Sequence, residues 1–307
     1  MINYIIQIIL FQVLFLAVYD FFLKKETFFK WNRAYLLTTS ILSFIIPLLK
    51  FESLQKSISQ EYVVLLPEIV LNPQVIIEQT GNSAQTLNYM NILFYIGIAF
   101  LSVIFLLKLL KIIRLIVSNN KIRKENYSLI LLEKKQSAFS FFNYIFIHNE
   151  LIEKEDLNII EHELVHCKQY HTVDLLFFEL LKILMWFNPM IYIYQKRITL
   201  LHEYISDAEV VKEKDKKTYF NNLLATTFNV ENVSFVNQFY KHSLIKKRII
   251  MITKEKSQRM KQLKYLVLVP LLASMLLYTS CTSEEENKSQ EDLIEQSKLQ
   301  MKTSEDG

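Results

Sequence analysis

Four long apolar runs decide most of what this chain can become. Residues 4–23, 34–50, 89–110 and 263–281 each come close to the roughly 20 residues a helix needs to cross the hydrocarbon of a bilayer. With 51% of residues hydrophobic and 21% charged, the chain is more apolar than an ordinary soluble protein of its size. The expectation is a mainly α membrane protein with four transmembrane helices. The first run contains Gln7, Gln12 and Asp20 and no cleavage pattern, so it reads as a permanent anchor and not a removable signal peptide.

Basic residues set the orientation, because Lys and Arg collect in cytoplasmic loops. The connection at 24–33 carries Lys24, Lys25, Lys30 and Arg33 against Glu26 alone, and is expected inside. The connection at 51–88 carries Lys56 against Glu52, Glu61, Glu68 and Glu78, and is expected outside. Basic clusters at 111–124 and 246–264 place both ends of the 111–262 segment in the cytoplasm. After residue 281 come eight acids and three lysines with few apolar residues, which reads as a disordered extracytoplasmic tail. The expected layout is therefore a membrane region at 1–110, a cytoplasmic domain at 111–262, a fourth span at 263–281 and a tail at 282–307. This is a multi-pass arrangement for a bacterial cytoplasmic (inner) membrane.

Composition removes several function classes. Three glycines, Gly81, Gly97 and Gly307, cannot build a P-loop, a dinucleotide fingerprint or a nucleophile elbow, each of which needs clustered glycines. Two cysteines 114 positions apart make neither a disulfide framework nor a thiolate zinc site. The net charge of +4 comes from cations flanking apolar runs, so the expected partner is a lipid bilayer and not nucleic acid.

Chemistry concentrates at His162-Glu163-Leu164-Val165-His166. On a helix, positions i and i+4 share a face, so both imidazoles can reach one zinc ion while Glu163 addresses a metal-bound water. With six histidines and 31 acids in the chain, composition alone yields on the order of 0.01 such patterns. Neither proline nor glycine interrupts the flanking residues 158–170.

Two imidazoles leave a tetrahedral catalytic site one protein ligand short. His171 stands five residues after His166, off the spacing of a three-histidine motif, and reads as a surface or supporting residue. Glu203 is the better candidate, with Asp207 one helical turn on and placed to accept a hydrogen bond from a ligand imidazole. His202 competes by residue type but points roughly 100° away from Glu203 on a helix. His148 and His242 have no partner at ligand spacing. The apolar segment 173–194 cannot cross the bilayer and still leave Glu203 on the side of His162. It is expected to pack over the zinc helix or lie in the inner membrane surface, broken at Pro189.

Together, the 162–166 motif, Trp186-Phe187-Asn188-Pro189 and the 203–207 stretch resemble, in order and spacing, the BlaR/MecR-type antirepressor metallopeptidases. Residues 26–37 look like that family's first cytoplasmic loop, and residues 137–147 like the strand before its zinc helix. The likeness runs from residue 1 to about 281. Its implications are a cytoplasmic gluzincin-like α+β zinc peptidase domain between the third and fourth spans, with His162, His166 and Glu203 as ligands and Glu163 as base. Ser206 stands where the family often has Cys or Ala. With 26 residues after Cys281, the chain is expected to lack the penicillin-binding sensor domain of beta-lactam receptors.

The expected function is a zinc metalloendopeptidase that cleaves a cytoplasmic protein, a winged-helix repressor by the resemblance, in a transmembrane signalling pathway. Two other readings are an HtpX-type membrane-protein quality-control protease and a non-proteolytic signalling scaffold; an intact Glu163 argues against the scaffold. For steadying the oxyanion, His171, His202 and Tyr204 are candidates that no spacing rule separates, and homo-oligomerisation is left open.

Overall fold

A computed structural model of the chain describes residues 2–49, 89–133, 138–148, 157–212, 219 and 235–279. The proposed loop at 51–88, the acidic tail and Cys281 lie outside the described residues. Chain contacts form two compact units, one of residues 1–43 with 98–267 and one of residues 44–97 with 268–307.

The first unit opens with α1 (Ile2–Val18), continued by one π-helical stretch at Tyr19–Leu23. Helix α2 (Phe29–Ile45) follows and ends in a 3-10 turn at Ile46–Leu48, where Pro47 removes a helical donor. Helix α3 runs from Tyr89 to Ser118. Among the described residues, three helical stretches are long and apolar enough to cross a membrane: Asn3–Leu23, Asn91–Ser118 and Arg259–Thr279. The expected second span, 34–50, is occupied by the 17-residue α2 and its 3-10 end, shorter than the other three.

Strands β1 (Lys121–Arg123), β2 (Ser128–Leu132), β3 (Phe139–Phe141) and β4 (Tyr144–His148) form one sheet in the order β1-β2-β4-β3. Only the central β2-β4 pair is parallel, and both its faces are covered. Leu129, Ile145 and Ile147 pack with Cys167, Ile160 and Leu164 on one face; Ile130, Leu132 and Phe146 meet Ile112, Leu115 and Ile116 of α3 on the other. That double burial is why β4 reads as a continuous apolar run instead of alternating. Strand β3 is left as an edge.

After the sheet come α4 (Leu157–Lys168), α5 (His171–Leu184), α6 (Pro189–Val210) and α7 (Phe235–Thr253). The 3-10 stretch Arg259–Val267 then begins the last helix. Segment 173–194 is a helical hairpin: α5 stops at Leu184, and α6 starts with Pro189 at its first position. There Pro189 has no amide hydrogen to leave unbonded, and the Asn188 side chain accepts from Met190 N at 2.9 Å.

The α4-α5 corner turns on Tyr170, held at φ 54 in the left-handed region without being glycine. Tyr170 is 62% exposed, so its side chain buries little. Tyr170→Gly is therefore expected to raise stability by up to about 1 kcal/mol by relieving the Cβ clash. Calorimetric unfolding of the purified protein measures this, and a lowered midpoint would show the corner is not strained.

Candidate metal centre

Helix α4 presents His162 and His166 from successive turns of one face, and α6 crosses it with Glu203. His162 Nε2 and His166 Nε2 are 3.3 Å apart. Glu203 Oε2 lies 3.4 Å from His162 Nε2, and Glu203 Oε1 lies 3.5 Å from His166 Nε2. These three groups form the one cluster among the described residues able to hold a metal ion. Tetrahedral zinc with ligand bonds of about 2.0–2.1 Å requires donors about 3.3–3.4 Å apart, so the triangle fits that ion. Three lone pairs this close repel unless a proton or a cation stands among them, and the donor set suits a metal for that reason too.

The far nitrogen of each imidazole is engaged. Tyr219 Oη lies 3.0 Å from His162 Nδ1 and donates to Asp207 Oδ1 at 2.8 Å. Asp207 therefore reaches the imidazole through a tyrosine, its own oxygen being 3.4 Å away. His166 Nδ1 sits 2.9 Å from His171 Nδ1. With protons on both Nδ1 atoms of the pair 162 and 166, each Nε2 keeps its lone pair for the centre, an orientation typical of metal-binding histidines.

His171 is 1% exposed, which selects the supporting place over the surface one. The left-handed Tyr170 breaks the helix before it and swings it back onto His166. Its ring stacks on His202 at 3.9 Å, and His202 Nε2 lies 2.7 Å from Asp174 Oδ2. Asp174 is gripped by Arg33 through two bonds of 2.6 and 3.0 Å. His171 and His202 are thus occupied behind His166, and the Tyr204 ring packs on Phe29.

A second cation enters from α7. Arg248 donates to both Asp207 oxygens at 2.9 and 2.6 Å, and its Nη1 is 2.8 Å from Glu203 Oε2. Burial alone would raise the Glu203 carboxyl, but the His162 hydrogen bond and the Arg248 charge hold it well below the usual carboxylate range. Burial of His166 lowers it to about 3, and burial also depresses His171, so both rings are neutral. Glu163 is shifted the other way: burial raises its carboxyl, against the opposing pull of His162 and the Ser140 hydroxyl on β3.

Arg248, Tyr219, Asp174 and Arg33 were not singled out from the sequence as site residues. Arg248 hides in a Lys-Lys-Arg run, yet it shares a helix face with Ile245, Ile249 and the buried Ile252 while Lys246 and Lys247 are exposed. An arginine on an apolar stripe is the legible sign. The other three become supporting residues only through tertiary packing.

The family profile described as BlaR1 peptidase M56 matches residues 141–252, a segment containing the donor triangle, Glu163, Asp207, Tyr219 and Arg248. Over that segment the chain is similar to the BlaR1 peptidase M56 family. It is 29% identical to the regulatory protein BlaR1 of Staphylococcus aureus over 171 residues, 51% of this chain and 28% of that protein. It is 30% identical to the regulatory protein BlaR1 of Bacillus licheniformis over 136 residues, 41% of this chain and 22% of that protein. The chain thus spans about a quarter of the length of these curated relatives. The match makes residues 141–252 a peptidase-type segment, and Arg33 lies outside the part the M56 profile covers.

Asp207 is 1% exposed and relies on Arg248 for neutralisation. Arg248→Ala is expected to destabilise the protein by about 3 kcal/mol, the cost of stranding a buried charge. Thermal unfolding tests this, and restoration by Arg248→Ala combined with Asp207→Asn is expected, since the amide carries no charge to strand.

Proposed function

We propose that the chain is a membrane-bound zinc metalloendopeptidase that cleaves a cytoplasmic protein, a winged-helix transcriptional repressor in the first instance, as one step of transmembrane signalling. The observation that carries this reading is the donor triangle of His162, His166 and Glu203 with Glu163 beside it on α4. A zinc ion bound there supplies Lewis acidity, polarising a scissile carbonyl and bringing the pKa of a bound water towards 7.

The chain's own residues supply the rest. Glu163, with its carboxyl raised by burial, is a stronger base than an exposed glutamate and takes the proton from the attacking water. It then returns that proton to the departing amine. Glu203 brings the negative charge to the ligand set, while Arg248 and Asp207 fix its direction. Tyr219 and His171 hold the two imidazoles in the tautomer the centre needs. The free edge of β3 supports binding of an extended substrate strand, since its Ser140 already reaches Glu163 and a strand added there would lie along the site.

The basic loops support a cytoplasmic orientation for the site and an extracytoplasmic one for 51–88. A reporter after residue 60 should accordingly read outside, and one near residue 125 inside; the reverse would put the peptidase on the wrong face.

Glu163→Gln is expected to abolish cleavage and leave zinc bound, because the amide keeps the shape but accepts no proton. Metal analysis and comparative proteomics of cells expressing the wild type or this variant measure both; loss of metal would reassign Glu163. Zinc retained after purification is expected to fall from wild type to Asp207→Ala to Glu203→Ala, with the Asp207 change costing roughly 10- to 100-fold in affinity. His202→Ala is expected to stay near wild type, since its ring faces Asp174. Metal lost on removing His202 but kept on removing Glu203 would overturn the ligand set.

A further inference from the structure

The geometry points to the α5-α6 hairpin as a re-entrant membrane element: its tip, residues 184–188, dips about halfway into the bilayer from the cytoplasmic side, and lipid covers its outer face. This rests on reading α1 and α3 as membrane spans, and not on proteolysis.

The two legs start and end at the metal centre. His171 at the head of α5 stacks on His202 near the end of α6, so the hairpin leaves the site and returns to it without crossing. Between the legs, Ile183 to Tyr194 holds no charged residue. The uncharged stretches 2–19 of the first helix and 34–43 of α2 lie beside it.

The charges that bound these stretches gather at one level. Arg197 pairs with Asp20 at 2.7 Å, and Glu179 accepts from Lys182 at 2.7 Å and from Gln195 at 2.9 Å. Lys108, the first charge along α3, is close enough to act electrostatically on Glu179. Below this level the contacts are neutral. Tyr194 Oη donates to Thr39, and Asn188 Nδ2 donates to Gln12 Oε1 at 2.8 Å while Gln12 Nε2 donates to Ser43 Oγ at 3.1 Å. Asn188 lies nine residues below Arg197 on α6 and Gln12 eight below Asp20 on α1. At 1.5 Å per residue the counts on α6 and α1 give a depth of about 12–14 Å, against about 15 Å for half the hydrocarbon.

The turn goes most of the way to the condition for irregular backbone at that depth, that its polar groups be satisfied internally, with the buried Trp186 Nε1 the group left without a partner among the described residues. Met185 N donates to Leu181 O, Asn188 N to Met185 O, Met190 N to the Asn188 side chain, and Tyr192 Oη to Trp186 O. Pro189 has no amide hydrogen. Leu184, 56% exposed, and Phe187, 37% exposed, point outward with Leu180, a surface suited to acyl chains and not to water.

The test uses the full chain in phosphatidylcholine–phosphatidylglycerol vesicles, with Cys281→Ser and the buried Cys167 kept, because burial pushes that thiol up to about 12 and leaves it unreactive at neutral pH. Nitroxides are placed singly at Leu184 and Phe187, with Phe100 in α3 and the exposed Tyr170 as references. Collision with oxygen is expected to exceed collision with a water-soluble nickel chelate at Leu184, Phe187 and Phe100, and to fall below it at Tyr170. Nickel dominance at Phe187 with oxygen dominance at Phe100 would place the hairpin in water and overturn the proposal. Low collision with both probes would mean that protein covers the tip, which also overturns it. Nickel dominance at Phe100 would remove the membrane reading and the proposal together. In the unlabelled Trp31→Phe variant, Trp186 should be quenched most by lipids brominated in mid-chain, and absence of quenching overturns the proposal independently of labelling.

Discussion

Two imidazoles and a carboxylate forced together, with nitrogens 3.3 Å apart and one Glu203 oxygen within 3.5 Å of each, are the constraint around which the rest is arranged. Left alone, two imidazole lone pairs and a carboxylate oxygen repel, and burial makes the repulsion worse because less solvent screens it. Holding them together therefore requires positive charge, which a proton on His162 and the Arg248 guanidinium supply here and a metal ion would supply at the centre, and firm anchorage behind each donor. The anchorage is visible on every side: Tyr219 and Asp207 behind His162, His171 behind His166, and Arg248 behind Glu203. Arg248 ties α7 to α6 through both carboxylates at once, so the last helix of the peptidase segment is part of the site and not a mere connector to the membrane.

The same economy appears in the way α6 serves two environments. Its first seven residues carry no charge and begin at the Asn188-Gln12 bond, and its last turns carry Glu203, Asp207 and Glu209. One straight helix thus links an apolar region to the metal centre, which explains how Glu203 can stand beside His162 although a strongly apolar segment separates them in sequence. A full crossing at 173–194 would have parted the ligands. A hairpin whose legs both return to His171 and His202 keeps them on one side.

What could be read from the sequence was what depends on local spacing. The pair His162 and His166 and the base between them follow from four-residue periodicity, and the pairing of Glu203 with Asp207 follows from one helical turn. Pro189 marked the hairpin break because a proline has no amide to donate. Residues whose role arises from packing between distant elements stayed hidden. Tyr219 supports His162 from 57 positions away, and Arg33 reaches Asp174 across 141. His171 stayed divided between a surface and a supporting place for a physical reason: its five-residue spacing would point it away from His166 on a continuous helix, and nothing in a tyrosine announces a left-handed corner. The apolar β4 resisted a strand assignment by alternation because α3 and α4 cover both faces of the sheet.

Arg33 gives the arrangement a reach beyond the peptidase segment. It stands near the start of α2, grips Asp174 with two bonds and the Gln169 carbonyl with a third, and so fixes the α4-α5 corner from the membrane region. From Asp174 the contacts continue through His202 to His171 and end on His166, each within hydrogen-bonding or stacking distance. A bidentate arginine-carboxylate pair tolerates little rotation or sliding. Displacing the head of α2 must therefore either break that pair, exposing a buried Asp174, or carry Asp174 and its stacked partners along. Because a donor displaced by about 1 Å is enough to spoil a site built for one geometry, the metal centre and the first two helices are best regarded as one mechanical body, consistent with their grouping in a single compact unit.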